Sequence, residues 1–216
     1  MRLPILSEAL VFPPPEEALE EGLLAVGGDL TVDRLLLAYR NGIFPWYNED
    51  EPILWWSPDP RMVLRPGEAY VSKSMRKLLR DQRFKVTYNQ CFLEVILACK
   101  RIQRPDQEST WITPEMVQAY LNLHEQGHAT SVEVWQGEEL VGGLYGVDLP
   151  DLGVFCGESM FSRVSNASKV AFITLSRKLK KQQYQLLDCQ VYTEHLERMG
   201  AYEIPRKDYL KYLAKR

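Results

Sequence analysis

The chain has 216 residues, which is enough to bury one sizeable hydrophobic core, or one core and a small companion domain. Its composition, 45% hydrophobic and 25% charged, is ordinary for a folded soluble protein. The formal net charge of −3 argues against a protein that coats nucleic acid non-specifically, although the position of the charges matters more than their sum.

We expect neither a secretory signal nor a membrane span in this sequence. Its first residues lack the apolar stretch of a secretory signal, and no apolar run approaches the roughly 20 residues that cross a bilayer. The cysteines are widely spaced and form no Cys-x-x-Cys pair: Cys91, Cys99, Cys156 and Cys189. We therefore expect a cytoplasmic protein with reduced thiols and no membrane partner.

Residues 1–62 are predicted to form a small N-terminal domain, because their composition differs from that of the remaining chain. One helix is predicted there, with Thr31 as its N-cap and Gly42 as its stop. Residues 43–47 and 54–61 place prolines beside large aromatic side chains, which predicts rigid, irregular backbone.

Three tryptophans fall within eleven residues of these two segments: Trp46, Trp55 and Trp56. Such dense use of the largest aromatic side chain has two interpretations. The rings form a satellite core under the small domain, or they present a stacking surface to a nucleic-acid base or a peptide.

Residues 63–216 are predicted to form an α+β domain with a mixed, mostly antiparallel sheet. The predicted helices span residues 74–82, 91–101, 113–126, 166–182 and 194–199, followed by a C-terminal helix after Pro205. The predicted strands span residues 84–88, 131–135, 139–147, 154–161 and 184–191, and a polar loop is predicted at residues 104–109. The same order occurs in acyltransferases of the GCN5-related N-acetyltransferase fold, which is an analogy of order alone.

Basic residues concentrate in three stretches, which suits a protein with one phosphate-facing side. They are Lys73, Arg76, Lys77, Arg80, Arg83 and Lys85; Arg177, Lys178, Lys180 and Lys181; and Arg206 with Lys207. Much of the acid lies apart, in residues 16–21 and 49–51. Solvated helix faces are the alternative explanation of these stretches.

The run His124-Glu125-Gln126-Gly127-His128 matches the H-E-x-x-H pattern of zinc proteases. That pattern binds zinc only where one helix continues through both histidines. Gly127 is predicted to end the helix, so that His128 leaves its face. We therefore expect no metal site here, and two histidines near a helix end instead.

Other familiar catalytic motifs are missing from the sequence. It has no G-x-S-x-G elbow, no P-loop and no G-x-G-x-x-G turn after a strand. Gly142, Gly143 and Gly146 lie inside a predicted strand, where glycine marks a bulge or the close approach of another backbone. A covalent cysteine at Cys156 or Cys189 has no basic partner in view, and such thiols are more often inert.

Polar side chains interrupt two otherwise apolar strands. Glu158 lies within residues 154–161, where a carboxylate is unfavourable unless it has partners. Desolvation raises the pKa of such a group, which suits a proton acceptor or an amine-binding site. Asp188 and Gln190 lie two residues apart in the strand 184–191, so both are expected on one face as a paired polar site. An exposed strand edge is the alternative for Glu158.

Six segments resemble the leucyl/phenylalanyl-tRNA–protein transferases. They are GLLAVGGDL at residues 22–30, GIFPW at 42–46, LWWSPDPR at 54–61, TWIT at 110–113, FCGESMFS at 155–162 and DCQ at 188–190. The likeness covers nearly the whole chain, and several of these strings are long and unusual.

The resemblance implies a small N-terminal domain, an acetyltransferase-like C-terminal domain, and transfer of leucine or phenylalanine, less readily methionine, from aminoacyl-tRNA to an N-terminal arginine or lysine. The product is an N-degron that bacterial proteolytic machinery reads. By position, the terminal adenosine would be held by Trp46, Trp111 and Tyr120. The donor side chain would enter an apolar cup of Leu144, Phe155, Met160, Leu175 and Leu187. The polar groups at the reacting centre would be Glu158, Asp188 and Gln190.

The chemistry of an aminoacyl ester fits these residue types. The ester is already activated, so we expect no cofactor, and aminoacyl-tRNA is itself a substrate. The reaction needs a neutral, aimed amine and a stabilised oxyanion. An acyl-CoA-dependent N-acyltransferase is one alternative, but residues 163–169 lack the glycines of a pyrophosphate cradle. A non-catalytic binder of tRNA or peptide is another, and acids within apolar strands argue against it.

Overall fold

The protein contains two β-sheets in residues 3–102 and 111–214, the parts of the chain that the computed structural model describes. The predicted polar loop at residues 104–109, and Thr110 of the TWIT segment, lie outside the described residues. The first sheet has four strands, the last of which ends at Trp56. The second sheet has seven strands and begins at Arg61.

The first sheet has the strand order β1-β2-β4-β3. Its strands are β1 (Ile5–Leu6), β2 (Leu23–Gly27), β3 (Phe44–Pro45) and β4 (Leu54–Trp56). A short 3₁₀ helix (Pro15–Glu17) precedes β2, and α1 (Val32–Arg40) follows it. The predicted cap of α1 is confirmed, because the Thr31 hydroxyl accepts a hydrogen bond from the Arg34 amide.

The segments predicted to be irregular contain strands, so this prediction is wrong. β4 is a central strand with β2 on one side and β3 on the other. Prolines flank β4 but none lies within it, so its backbone keeps the N–H groups that pair with its neighbours. Pro45 lies in β3, an edge strand, where its missing N–H is tolerated. Trp55 is fully buried, and its indole N–H donates to the Gly27 carbonyl at 2.8 Å.

The second sheet has the strand order β11-β5-β10-β9-β8-β7-β6. Its strands are β5 (Arg61–Leu64), β6 (Lys85–Tyr88), β7 (Ala129–Gln136), β8 (Glu139–Leu149), β9 (Val154–Ser162), β10 (Leu186–Gln190) and β11 (Tyr202–Ile204). In the described ranges, β9 and β10 pair in parallel and the other neighbours pair antiparallel. The predicted α+β class and the β7–β8–β9 meander are confirmed, whereas β5 and β11 were not predicted.

Six helices accompany the second sheet in the described parts of the chain. They are α2 (Lys73–Arg80), α3 (Phe92–Arg101), α4 (Pro114–Glu125), α5 (Ala167–Lys181), α6 (Glu194–Arg198) and α7 (Arg206–Leu213). Each lies where a helix was predicted, with bounds that differ by a few residues. The Thr113 hydroxyl caps α4 by accepting from the Met116 amide at 3.2 Å. Within these ranges, no helix has both the length and the apolar character needed to cross a bilayer.

Hydrophobic side chains pack in two clusters that meet at the second sheet. One cluster joins α3 and α4 to α1 and the first sheet, with Tyr39 and Tyr120 among its buried members. The other joins α2 and α5 to the sheet. Neighbouring residues Phe155 and Cys156 of β9 belong to different clusters, as alternation along a strand requires. The second sheet is therefore covered by packed side chains on both faces.

The parallel pairing of β9 with β10 stops at Cys156 and Asp188. Just beyond this pair, Glu158 is an extra residue in the β8–β9 ladder, and Cys189 is an extra residue in the β5–β10 ladder. Gln190, which follows, has a left-handed backbone with φ of 64°. Bulges redirect side chains, so the polar residues that interrupt these strands lie where the two strands stop pairing.

Gly146 lies against another backbone, as predicted for the glycines of β8. A methyl group there would overlap the carbonyl oxygen of Cys156 and the ring of Phe155. We expect Gly146→Ala to lower the free energy of unfolding by about 1–3 kcal/mol, the usual cost of overpacking. Gly157→Ala is the matched control, since the nearest atom to its added methyl lies at 3.4 Å. Urea unfolding measures both variants, and equal midpoints would contradict this prediction.

Candidate active site

A cavity of about 450 Å³ is lined by residues of both sheets and has an aromatic wall and a polar end. Trp46 follows β3 and is 37% exposed, whereas Trp111 precedes α4 and is 8% exposed. Glu158 of β9 and Gln190 of β10 form the polar end. Four residues singled out in the sequence therefore meet in one cavity, although they come from four separate segments.

A smaller, apolar cup of about 70 Å³ adjoins this cavity. Residues that line both spaces are Glu158, Ser159, Met160, Cys189 and Leu196. Four of the five apolar residues implied by the resemblance line the cup: Leu144, Met160, Leu175 and Leu187. The fifth, Phe155, is buried against Gly146 and is not among the described residues that line the cup. Phe172 and Leu196 complete the apolar lining from α5 and α6.

Glu158 is held by hydrogen bonds on both carboxylate oxygens. The Tyr120 hydroxyl donates to Oε2 at 2.8 Å, and the Gln190 side-chain amide donates to Oε1 at 2.8 Å. The Tyr39 hydroxyl of α1 in turn hydrogen-bonds with the Tyr120 hydroxyl. Burial raises the pKa of Glu158 to about 7, and the tyrosine hydrogen bonds oppose this rise. The group is therefore poised to change charge near neutral pH.

Gln190 has a fixed amide orientation. The ionised carboxylate of Glu158 only accepts hydrogen bonds, so in that form the group that faces it is the NH₂ of the amide. The carbonyl oxygen is then the acceptor end of a side chain that lines the cavity. The Gln190 side chain can therefore accept a hydrogen bond from an incoming amine while it stays uncharged.

Asp188 occupies a different position from the one that strand alternation suggested. Its carboxylate is fully buried, and it pairs with Arg61 through two hydrogen bonds of 2.8 and 2.7 Å. The Tyr209 hydroxyl donates to the same carboxylate at 2.8 Å. Asp188 accepts a hydrogen bond of 2.9 Å from the backbone amide of Gln190 rather than from its side-chain amide. The predicted side-by-side pairing of the two side chains is therefore wrong, because the ladder is irregular between them.

Tyr120 differs from its expected place, whereas Cys156 and Cys189 have the character of inert thiols. Tyr120 was implied to hold adenosine, but it is fully buried behind Glu158 and is not among the described residues that line the cavity. Burial raises the pKa of both Cys156 and Cys189. Since the nucleophile is the thiolate, these shifts disfavour the covalent-cysteine alternative.

Each of the first two basic stretches contributes one residue to the lining of a surface groove of about 470 Å³. Its lining includes Lys85 of β6 and Arg177 of α5, and α2 contributes Leu78 and Leu79. Exposed basic side chains of α2 and the turn after it are Lys73, Arg76, Lys77, Arg80 and Arg83. Within the described residues, none of the ion pairs involves these five. Arg206 of the third stretch instead donates to the carbonyl of Ser57.

The H-E-x-x-H run does not continue as a helix. α4 ends at Glu125, and Gly127 has a φ of 82°. His124 contacts the Ala129 carbonyl through Nδ1 at 2.8 Å, and its ring stacks on Phe92. The predicted break between the two histidines is therefore confirmed.

Some residues of the site were not found from the sequence. Arg61 and Tyr209 hold Asp188, and Tyr39 holds Tyr120. A buried arginine is unfavourable without a carboxylate, so Arg61 needed a partner; no local pattern indicates which acid it is.

Two family profiles match separate parts of the chain. A family profile described as leucyl/phenylalanyl-tRNA protein transferase matches residues 63–214, and the profile of its N-terminal domain matches residues 28–59. A Flavobacterium johnsoniae protein named leucyl/phenylalanyl-tRNA–protein transferase is 62% identical over 96% of this chain and 97% of its own. A protein of that name from Shewanella frigidimarina is 52% identical over 98% of this chain and 89% of its own.

A solved structure, titled as a GCN5-related N-acetyltransferase from Kribbella flavida, is a more distant match. It aligns with 79% of this chain and 59% of its own, at 9% identity and a TM-score of 0.42.

Glu158 is expected to titrate near pH 7, with the chemical shift of its carboxyl carbon as the measurement. Tyr120→Phe should raise this pKa further, because it removes a hydrogen bond that stabilises the ionised form. Tyr184→Phe is the control, since it removes a comparable bond to a different carboxylate, Asp148, and should leave Glu158 unchanged. Titration of Glu158 near its ordinary 4.5 would contradict the prediction.

Proposed function

Since the chain belongs to the leucyl/phenylalanyl-tRNA–protein transferase family, we propose that it transfers leucine or phenylalanine, less readily methionine, from aminoacyl-tRNA to an N-terminal arginine or lysine of an acceptor protein. The product is an N-degron that marks the acceptor for proteolysis in the cytoplasm. The observation that best supports the proposal is the junction of two spaces, an aromatic-walled cavity and an apolar cup, at Glu158.

The two spaces suit the two parts of the charged tRNA end. Trp46 and Trp111 stack on the terminal adenosine, and the amino-acid side chain enters the cup. The ester that joins these parts then lies beside Glu158 and Gln190. An apolar cup separates leucine, phenylalanine and methionine weakly, since one methylene contributes about 1–3 kcal/mol of discrimination.

The reaction is attack of an amine on an activated ester. A C–N bond forms, the C–O bond to the ribose breaks, and the ribose oxygen takes up the proton that the amine releases. The Gln190 carbonyl oxygen accepts a hydrogen bond from the amine and aims it at the ester. Glu158 either binds the donor α-ammonium or, with its pKa near 7, accepts the proton of the attacking amine. No cofactor or metal takes part in this scheme.

The body of the tRNA lies on the basic groove between α2, β6 and α5. Phosphate binding by exposed lysine and arginine is favourable in water and weakens with salt. Lys85 of β6 and Arg177 of α5 line the groove beside Leu78 and Leu79 of α2, the helix that carries the exposed cations Lys73, Arg76 and Lys77, which supports a phosphate-facing surface.

Transfer of labelled leucine from tRNA to an arginine-initiated peptide tests the function directly. In single-turnover experiments with preformed complex, Gln190→Ala should lower the rate by about 10²-fold, the usual scale for loss of one oriented polar group. Gln182→Ala, at the exposed end of α5, is the control and should keep the wild-type rate. Equal rates in the two variants would remove Gln190 from the reaction.

Glu158→Gln separates the two roles of that residue. If the carboxylate binds the α-ammonium, the donor dissociation constant should rise because the charge-assisted hydrogen bond is lost. If it accepts a proton, the single-turnover rate should fall at unchanged donor affinity and lose its pH dependence near 7. Wild-type affinity together with a wild-type rate would contradict both roles.

The basic groove and the aromatic wall should contribute to different parts of donor binding. Charge reversal at Lys73, Arg76 and Lys77 should weaken tRNA binding and flatten its salt dependence, while leaving a short aminoacyl-adenosine analogue unaffected. Trp111→Ala should weaken binding of that analogue. Charge reversal at Lys207, on α7, is the control and should change neither tRNA binding nor analogue binding. If the triple variant lost analogue binding as severely as Trp111→Ala, this division would be incorrect.

A further inference from the structure

We propose that Arg61 and Tyr209 are positioning residues for the transfer reaction: they hold Asp188 so that its carboxylate fixes the backbone of Gln190. This inference rests on the proposed function and adds two residues to it. Neither residue is among the described residues that line the cavity, so both act through Asp188 rather than on a substrate.

The carboxylate of Asp188 has no acceptor position to spare for a ligand. Arg61 donates to Oδ1 from Nε and to Oδ2 from Nη2, Tyr209 donates to Oδ2, and the Gln190 amide donates to Oδ1. Four hydrogen bonds fill the roughly four lone-pair sites of a carboxylate. A group so occupied and fully buried cannot bind a substrate amine, and its remaining effect is on the backbone that it contacts.

The backbone of Gln190 needs such a restraint. Its φ of 64° lies in the left-handed region, which residues other than glycine rarely adopt. The hydrogen bond from its amide to Asp188 satisfies a buried donor at the point where the ladder with β5 is irregular. Without a fixed Asp188, Gln190 would relax toward an ordinary strand conformation, and its side chain would turn away from Glu158.

Arg61 also contacts the aromatic wall of the cavity. Its Nη1 donates to the Gly42 carbonyl at 3.2 Å, and its guanidinium lies 4.8 Å from the ring centroid of Phe44. Phe44 lines the cavity and lies two residues before Trp46. One side chain therefore joins Asp188, which bonds the backbone of Gln190, to Phe44 of the aromatic wall, and the Tyr209 hydroxyl bonds the same carboxylate.

Tyr209→Phe is the decisive variant, because it keeps the ring beside Arg61 and removes one hydroxyl. We expect amide hydrogen exchange at Gln190, followed by NMR, to accelerate about tenfold relative to Leu187 of the same strand. We expect the single-turnover transfer rate to fall about tenfold, the scale of one hydrogen bond to a buried charge, with donor affinity within about twofold of wild type. Tyr212→Phe, on the same helix, is the matched control and should change neither quantity.

Arg61→Lys keeps the positive charge but loses the two-pronged contact. It should slow transfer more than Tyr209→Phe, and it should also weaken binding of a short aminoacyl-adenosine analogue, since Arg61 contacts Phe44 of the aromatic wall as well as Asp188. Should this variant fail to fold, Tyr209→Phe still decides the question.

The outcomes separate this inference from the proposed function. A wild-type rate in Tyr209→Phe overturns the inference and leaves the function standing, whether or not exchange at Gln190 changes. A slower rate with unchanged exchange at Gln190 also overturns it, because the effect then does not pass through that backbone. Failure of the wild-type protein to transfer leucine or phenylalanine overturns the proposed function itself.

Discussion

The buried ion pair between Arg61 and Asp188 is the constraint on which the site depends. Removal of two such charges from water costs several kcal/mol, and the pair persists only where hydrogen bonds satisfy both partners. Here the guanidinium forks onto both carboxylate oxygens, and the remaining acceptor positions are filled by the Tyr209 hydroxyl and the Gln190 amide. A buried pair of this kind contributes little stability compared with apolar side chains of the same volume. Its contribution here is one defined arrangement of strands β5 and β10 with the segment around Gly42.

Local signals in the sequence were sufficient for much of the fold. Hydroxyl caps such as Thr113 and apolar periodicity located the helices, and alternation located the meander, because these features depend on neighbouring residues. The polar residues Glu158 and Gln190 were found because they interrupt apolar strands. The pairing of Arg61 with Asp188 was not predictable, since 127 residues separate them and no periodicity connects them. Phe172 and Leu196 were missed for another reason: before folding they look like ordinary apolar residues of two helices.

The rule that side chains alternate along a strand explains the site up to Asp188 and fails beyond it. Each of the two strands carries one extra residue just past the last parallel pair, and an extra residue reverses the facing of those that follow. This is why Leu187 and Gln190, which regular alternation would place on opposite faces of the sheet, line two adjoining spaces, the apolar cup and the larger cavity. The same irregularities open the sheet where the strands separate, so the site occupies a gap that regular pairing would have closed.

The aromatic wall has a consequence for the gene as well as for the protein. Trp46 follows β3 and comes before Arg61 in the sequence, whereas Trp111 comes after Arg61, just before α4. The two rings of the aromatic wall are therefore encoded on opposite sides of Arg61. A recombination event that replaced the coding region before Arg61 with an unrelated domain would leave Glu158 in place, but would remove one ring and the carbonyl of Gly42 that the arginine binds. Exchange of whole domains is therefore a poor route to new substrate ranges for this chain. New ranges are expected to arise instead by single-codon changes among the residues that line the apolar cup.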